Sequence, residues 1–161
     1  MNWTGFNICG TYYDLTHLSP FSFDTKIDEN IVTLHVTFGH HCFTDEKENG
    51  PLIFKSDGRY WSHERYDRTL QLPKLIRDKL VDSYAVPYIS KKSNEQYHYT
   101  ETHDYAIFFE AVKPENSTNE LKIKVVSAYE IDQWGKQLLP KGSAKRVRWI
   151  MSQRLQGKWI L

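Results

Sequence analysis

The sequence predicts an α+β fold: an antiparallel β-sheet packed by one main helix, with a basic C-terminal helix. Three observations carry that prediction. Residues 31–38 alternate, with Val32, Leu34, Val36 and Phe38 on one face and Thr33, His35 and Thr37 on the other, the pattern of a half-buried strand. Leu72, Leu75, Ile76 and Leu80 fall three or four apart, which is helical spacing. After Asp132 no acidic residue follows, whereas Lys136, Lys141, Lys145, Arg146, Arg148, Arg154 and Lys158 all do.

Taken in order, residues 1–30 scatter Trp3, Phe6, Tyr12, Tyr13, Phe21 and Phe23 without a period. They are expected to form an irregular clasp across a core. The strand at 31–38 continues into Gly39-His40-His41-Cys42-Phe43-Thr44, and the charged stretch 45–51 is a loop. Residues 52–54 make a short strand before the Asp57-Gly58 turn. The main helix runs from about Tyr66 to Val81, with Asp67 or Thr69 as its cap. Residues 84–90 form a strand near an edge, because Pro87 cannot donate to a ladder. A turn is expected at 91–95, then one bent strand over 97–112 whose second half is apolar enough to be central. Leu121, Ile123 and Val125 alternate with Lys122 and Lys124 in a further strand. Ser143 is placed to cap a helix over 143–157, with Val147, Ile150, Met151 and Leu155 on one stripe and Gly157 as its stop. The expected core sets Ile107, Phe108, Leu34, Val36, Ile123 and Val125 against Leu72, Leu75 and Ile76.

A chain of 161 residues suits one domain over 1–161 with a proper core. The aromatic share of 14%, including 10 Tyr and 5 Trp, favours sheets and stacking surfaces. The net charge of +1 argues against coating nucleic acid by bulk electrostatics and leaves the basic tail as a local contact for an anionic partner. Cys9 and Cys42 make no disulfide framework. No apolar run approaches the ~20 residues that cross a bilayer, and no secretory leader is evident. The expectation is a cytoplasmic protein with no membrane association.

Gly-x-Ser-x-Gly, Gly-x-x-x-x-Gly-Lys and Gly-x-Gly-x-x-Gly are all absent, so serine-hydrolase, ATP-driven and nicotinamide chemistry recede. His40-His41-Cys42 invites a zinc reading, but alternation would send His41 away from His40 and Cys42. No metal and no cofactor is expected. The richest chemical stretch is residues 59–69, which pack Arg59, Arg65 and Arg68 with His63, Tyr60, Trp61 and Tyr66. Arginine matches phosphate with a planar fork of donors, and histidine moves protons near neutral pH. Attack of a ribose 2′-hydroxyl on phosphorus needs a base, an acid and cations to hold the phosphorane. His41, Arg59, Arg65 and Tyr66 are the catalytic candidates; His63, Ser127, Tyr129, Arg146 and Arg148 are the RNA-binding ones. Each also has a structural reading: His41 as a hydrogen-bonding partner within the sheet, Tyr66 as a helix staple, Arg68 as a solvated ion pair.

The segments Phe38-Gly39-His40-His41-Cys42-Phe43-Thr44, Arg59 through Arg65-Tyr66 to Leu72-Pro73, Phe108-Phe109-Glu110 and Val126-Ser127-Ala128-Tyr129 together resemble a family of bacterial and prophage proteins described as stationary-phase growth adaptation proteins. The resemblance highlights His41, Cys42, Arg59, Arg65, Tyr66 and Tyr129, with Thr69 where the family commonly has serine. More remotely, a helix followed by antiparallel strands ending in Ser-Ala-Tyr is similar to the barnase/EndoU/colicin/RelE-like ribonucleases. That likeness implies a metal-independent endoribonuclease of toxin type, with RNA as substrate and an antitoxin or host protein as partner. Two other readings stand beside it. One is a phage-derived interaction protein that inhibits a host factor, docking through the Val147/Ile150/Met151 stripe and the 159–161 end. The other is an RNA-binding module stacking bases on Tyr97, Tyr99 and Tyr105.

Overall fold

In the computed structural model, residues 2–90, 96–102, 104–131 and 139–160 are described. The expected turn at 91–95 and the terminal Leu161 fall outside them. Period-two patterning produces most of what is seen. The strands are β1 (Gly5–Ile8), β2 (Thr11–Asp14), β3 (Phe21–Ile27), β4 (Asn30–His41), β5 (Thr44–Asp45), β6 (Leu52–Phe54) and β7 (Arg59–Trp61). They continue with β8 (Tyr84–Ile89), β9 (Gln96–Thr102), β10 (Tyr105–Val112), β11 (Glu120–Glu130) and β12 (Lys145–Arg146). Among the described residues three α-helices accompany them: α1 (His63–Thr69), α2 (Leu72–Lys79) and α3 (Val147–Leu155).

The main sheet has seven strands in the order β12-β8-β9-β10-β11-β4-β3. All its pairings are antiparallel except β4 with β11, which is parallel. The sheet is therefore mixed, not purely antiparallel. A parallel neighbour requires a long crossover, and here the crossover carries the hairpin and helices between β4 and β11. A three-stranded sheet β5-β7-β6 and the β1-β2 hairpin complete the set.

One face of the main sheet is covered. Leu34, Val36, Ile123, Val125 and Phe109 share a single buried cluster with Leu72 and Ile76 of α2 and with Val147, Ile150 and Met151 of α3. Leu75 packs at its margin. Ile107 belongs to the same cluster, so five of the six expected strand residues are in that core. Phe108 is not, because alternation along β10 sends even-numbered residues to the opposite face; there it packs with Tyr99, Ala106 and Tyr129.

Four expectations are corrected. Residues 5–27 are a hairpin and an edge strand, not an irregular clasp, although Trp3, Leu15 and Leu18 do bury against the core. The main helix is two helices: Ser62 caps α1 by accepting the Arg65 amide, and Pro73, which lacks an N–H, sits in the first turn of α2. The bent strand over 97–112 is a hairpin of β9 and β10 that turns at Asp104, whose φ is 60°. The C-terminal helix begins at Val147, because Lys145 and Arg146 pair with Ala85 and Tyr84 of β8.

Candidate functional site

Two regions each gather several of the candidate residues. The first lies where β4 runs out. Its parallel register against β11 shifts between Val125–Phe38 and Ser127–His41, so three residues of β4 span two of β11. Gly39 lies in this irregular stretch, and a Cβ there would stand 3.1 Å from the Val126 carbonyl oxygen. An extra residue breaks strict alternation, so the adjacent rings of His40 and His41 converge on one carboxylate. His40 Nε2 lies 2.7 Å and His41 Nε2 3.4 Å from Asp57 Oδ2. Asp57 is held at the end of a short 3₁₀ turn by Gly58 in the left-handed region (φ 64°). The hydrogen bonds from His40, ahead of that from His41, hold the Asp57 carboxyl below its usual range. Partial burial, then the nearby Arg59 charge, lowers the affinity of His41 for a proton.

Arg59 and Arg65 meet at the β4–β5 connection. Arg59 Nη2 donates to the Thr44 carbonyl at 2.7 Å and its Nε to Thr44 Oγ1 at 3.2 Å. Arg65 Nη1 donates to the same carbonyl at 2.8 Å and to that of His41 at 2.9 Å. The Arg65 guanidinium also lies over the Tyr129 ring, 4.7 Å from its centroid. His41, Arg59, Arg65 and Tyr129 are therefore neighbours, with Ser127 paired to His41 in register. The two arginines brace the turn through backbone carbonyls.

The other candidates stand elsewhere. The Tyr66 hydroxyl donates to the Asp14 carbonyl at 3.2 Å, and its ring packs on Tyr13 and Trp61. His63 is exposed and 3.3 Å from Asp67. Arg146 extends over the Tyr84 ring. Arg148 binds Asp82 Oδ1 at 3.0 Å and the Lys26 carbonyl. The Thr69 hydroxyl donates to the Tyr66 carbonyl at 2.6 Å and lies 2.8 Å from His17 Nε2. Cys42 is fully buried 3.6 Å from the Val125 carbonyl, and burial pushes its thiol up to about 12, so it is no ligand and no nucleophile.

The second region is the other face of the main sheet. Tyr88 of β8, Tyr97 and Tyr99 of β9, Phe108 of β10 and Tyr129 of β11 form a row across four neighbouring strands. Tyr88 meets Tyr97 at 5.9 Å and Phe108 at 6.2 Å. Phe108 meets Tyr99 at 5.3 Å and stacks with Tyr129 at 5.5 Å. Next to the row, a groove of about 340 Å³ is lined by His35, Thr37, Glu110, Val112, Lys122 and Lys124. Tyr105, expected to stack bases, is fully buried on the covered face under Arg68. Phe108 and Tyr88 escaped the sequence reading, although the parity of β10 could have shown Phe108 leaving the core. Asp57 and Thr44 carried no sequence signal, since only the folded turn brings them to His41 and the arginines.

No helix among the described residues is long and apolar enough to cross a membrane. No curated protein and no solved structure matches the chain. The model of the YjaZ family matches residues 5–155, nearly the whole length from the β1-β2 hairpin through α3, and the chain belongs to the YjaZ family.

Proposed function

We propose that this protein binds single-stranded RNA on the open face of its main sheet. The observation that supports this most is the aromatic row Tyr88, Tyr97, Phe108 and Tyr129, each of which is only half-buried. Every base has a π-face, so such a row takes unpaired bases with little regard to sequence. The exposed Lys122 and Lys124 lie beside it and serve the phosphates. With a net charge of +1 and Glu110 in the same groove, affinity comes mainly from stacking and depends only weakly on salt.

A second reading, cleavage by 2′-hydroxyl attack in the manner of a toxin ribonuclease, has its own support in His41. Its imidazole is oriented by Asp57 and kept neutral near pH 7 by burial and Arg59, as a general base requires. Against it, Arg59 and Arg65 direct donors to the carbonyls of Thr44 and His41, away from where a phosphate clamp would stand. Tyr66 lies apart. Binding is the better-supported activity. The host-factor inhibitor reading keeps only part of its docking surface, because Val147, Ile150 and Met151 are fully buried whereas Trp159 is exposed.

The test is one incubation of purified protein with end-labelled single-stranded RNA in excess chelator, read by mobility shift and by denaturing gel. Shifted, intact RNA supports the binding module. Fragments with 2′,3′-cyclic phosphate ends, lost in His41→Ala, would establish the nuclease. RNA that is neither shifted nor cut would remove both.

A further inference from the structure

We propose that His40, His41 and Asp57 form a binding site for a divalent transition-metal cation, zinc being the best fit. This inference is independent of RNA binding. The two imidazole nitrogens and one carboxylate oxygen lie within 4.8 Å of one another. A tetrahedral zinc with bonds of about 2.0–2.2 Å sets its donor atoms about 3.3–3.5 Å apart. His41 Nε2 and Asp57 Oδ2 already stand at 3.4 Å, and small side-chain rotations bring the third donor to that spacing. Two imidazoles and a carboxylate with open coordination positions suit zinc or a similar first-row ion better than calcium or magnesium.

The two imidazole donors come from firmly held backbone. The His40 ring packs against Phe54 at 4.3 Å and edge-on to Trp3 at 6.4 Å. Its carbonyl accepts the Thr44 hydroxyl at 2.7 Å, and that of His41 accepts Arg65 at 2.9 Å. Both ligand backbones are thus fixed from outside the site, as the shell around a metal centre requires. The side chains keep 28%, 38% and 39% exposure at His40, His41 and Asp57, so a cation can enter and carry water as its remaining ligands. On entry it takes the Nε2 lone pair of each neutral imidazole, so the hydrogen that faced Asp57 Oδ2 moves to Nδ1 and the carboxylate oxygen is freed for the metal. The Arg59 charge opposes the cation, though Arg59 Nη1 faces Glu46 at 3.5 Å. Affinity in the micromolar range is the expectation.

The test is calorimetric titration of the full-length protein with zinc chloride, without RNA, alongside visible spectra with cobalt(II). One equivalent should bind, and cobalt should give the bands of a nitrogen–oxygen site. Asp57→Asn and His41→Gln should each weaken binding tenfold or more, whereas His63→Gln and Cys9→Ser should leave it unchanged. Should the site variants fail to fold, imidazole nitrogen resonances of the wild-type protein decide: those of His40 and His41 should shift at one equivalent of zinc. Absence of binding in the micromolar range, loss that follows Cys9 or His63, or unmoved His40 and His41 resonances would overturn the site.

Discussion

The two faces of the main sheet are written in the same alternating code and have opposite fates. On one, Leu34, Val36, Ile123, Val125 and Phe109 are excluded from solvent beneath α2 and α3. On the other, Thr33, His35, Thr37, Lys122, Lys124 and Phe108, at alternating or next-door positions in the same strands, stay at least partly exposed. The covered face supplies stability, since each fully buried large side chain contributes about 1.5–3 kcal/mol through removal from water. The other face carries a smaller buried cluster, Tyr99, Ala106 and Ile131, with Val86, Tyr88, Phe108, Tyr129 and Leu139 packed around it, and its half-buried rings are the surface the binding proposal uses. Several aromatic rings left only half-buried in one row are informative.

The largest expected effect comes from removing a lid of the covered face. Deleting residues 143–161 takes away Val147, Ile150 and Met151, all fully buried, and should abolish cooperative unfolding in calorimetry. A truncated chain that still melts cooperatively would show that α3 is an accessory and not part of the core. Next, the neighbours Phe109 and Phe108 should part company. Phe109→Ala should cost about 3–5 kcal/mol in denaturant unfolding, the usual range for an enclosed ring. Phe108→Ala should cost well under half of that, and equal losses would mean the two faces are buried alike.

The covered face should also carry an acid sensitivity. His98 stacks on Phe109 with centroids 5.2 Å apart, and burial, assisted by Arg154, lowers its pKa from 6.5 to about 4. The folded value lies below the unfolded one, so the unfolded chain takes up the proton first. Stability from this group is complete above pH 6.5 and is lost as pH falls from 6.5 toward 4, by about 3 kcal/mol in all. His98→Phe should flatten that part of the melting-temperature profile. The smallest effect belongs to the open face: Lys122→Ala with Lys124→Ala should reduce the salt slope of RNA binding by about 1.4 for two phosphate contacts and leave the melting temperature unchanged.

Much of this architecture was legible because burial on one face imposes a period. The alternation of residues 31–38 and 121–125 identified β4 and β11, and the spacing of Leu72, Leu75 and Ile76 identified α2. Their parallel pairing was hidden, since alternation reports a face and not a direction. The aromatics of residues 5–27 lacked a clean period, because short strands joined by a tight turn at Cys9 and Gly10 leave too few repeats to show one. At the candidate site, adjacency in sequence misled. His40 and His41 should face apart in a regular strand, and an irregular register next to Gly39 is what reunites them on Asp57. Arg59 and Arg65 were read as cations for a phosphate, whereas the acceptor they share, the Thr44 carbonyl, exists only in the folded turn.

The central claim is that the open face recognises unpaired bases, and fluorescence anisotropy of a labelled single-stranded RNA titrated with wild-type protein and with Phe108→Ala tests it most directly. Loss of one stacking ring is worth about 1–3 kcal/mol, roughly a 5- to 150-fold weakening. The account predicts saturable binding by the wild type, a loss in that range for a Phe108→Ala protein that still melts cooperatively, and much weaker binding of the same sequence annealed into a duplex. Equal affinities of wild type and variant, or no binding by either, would contradict it.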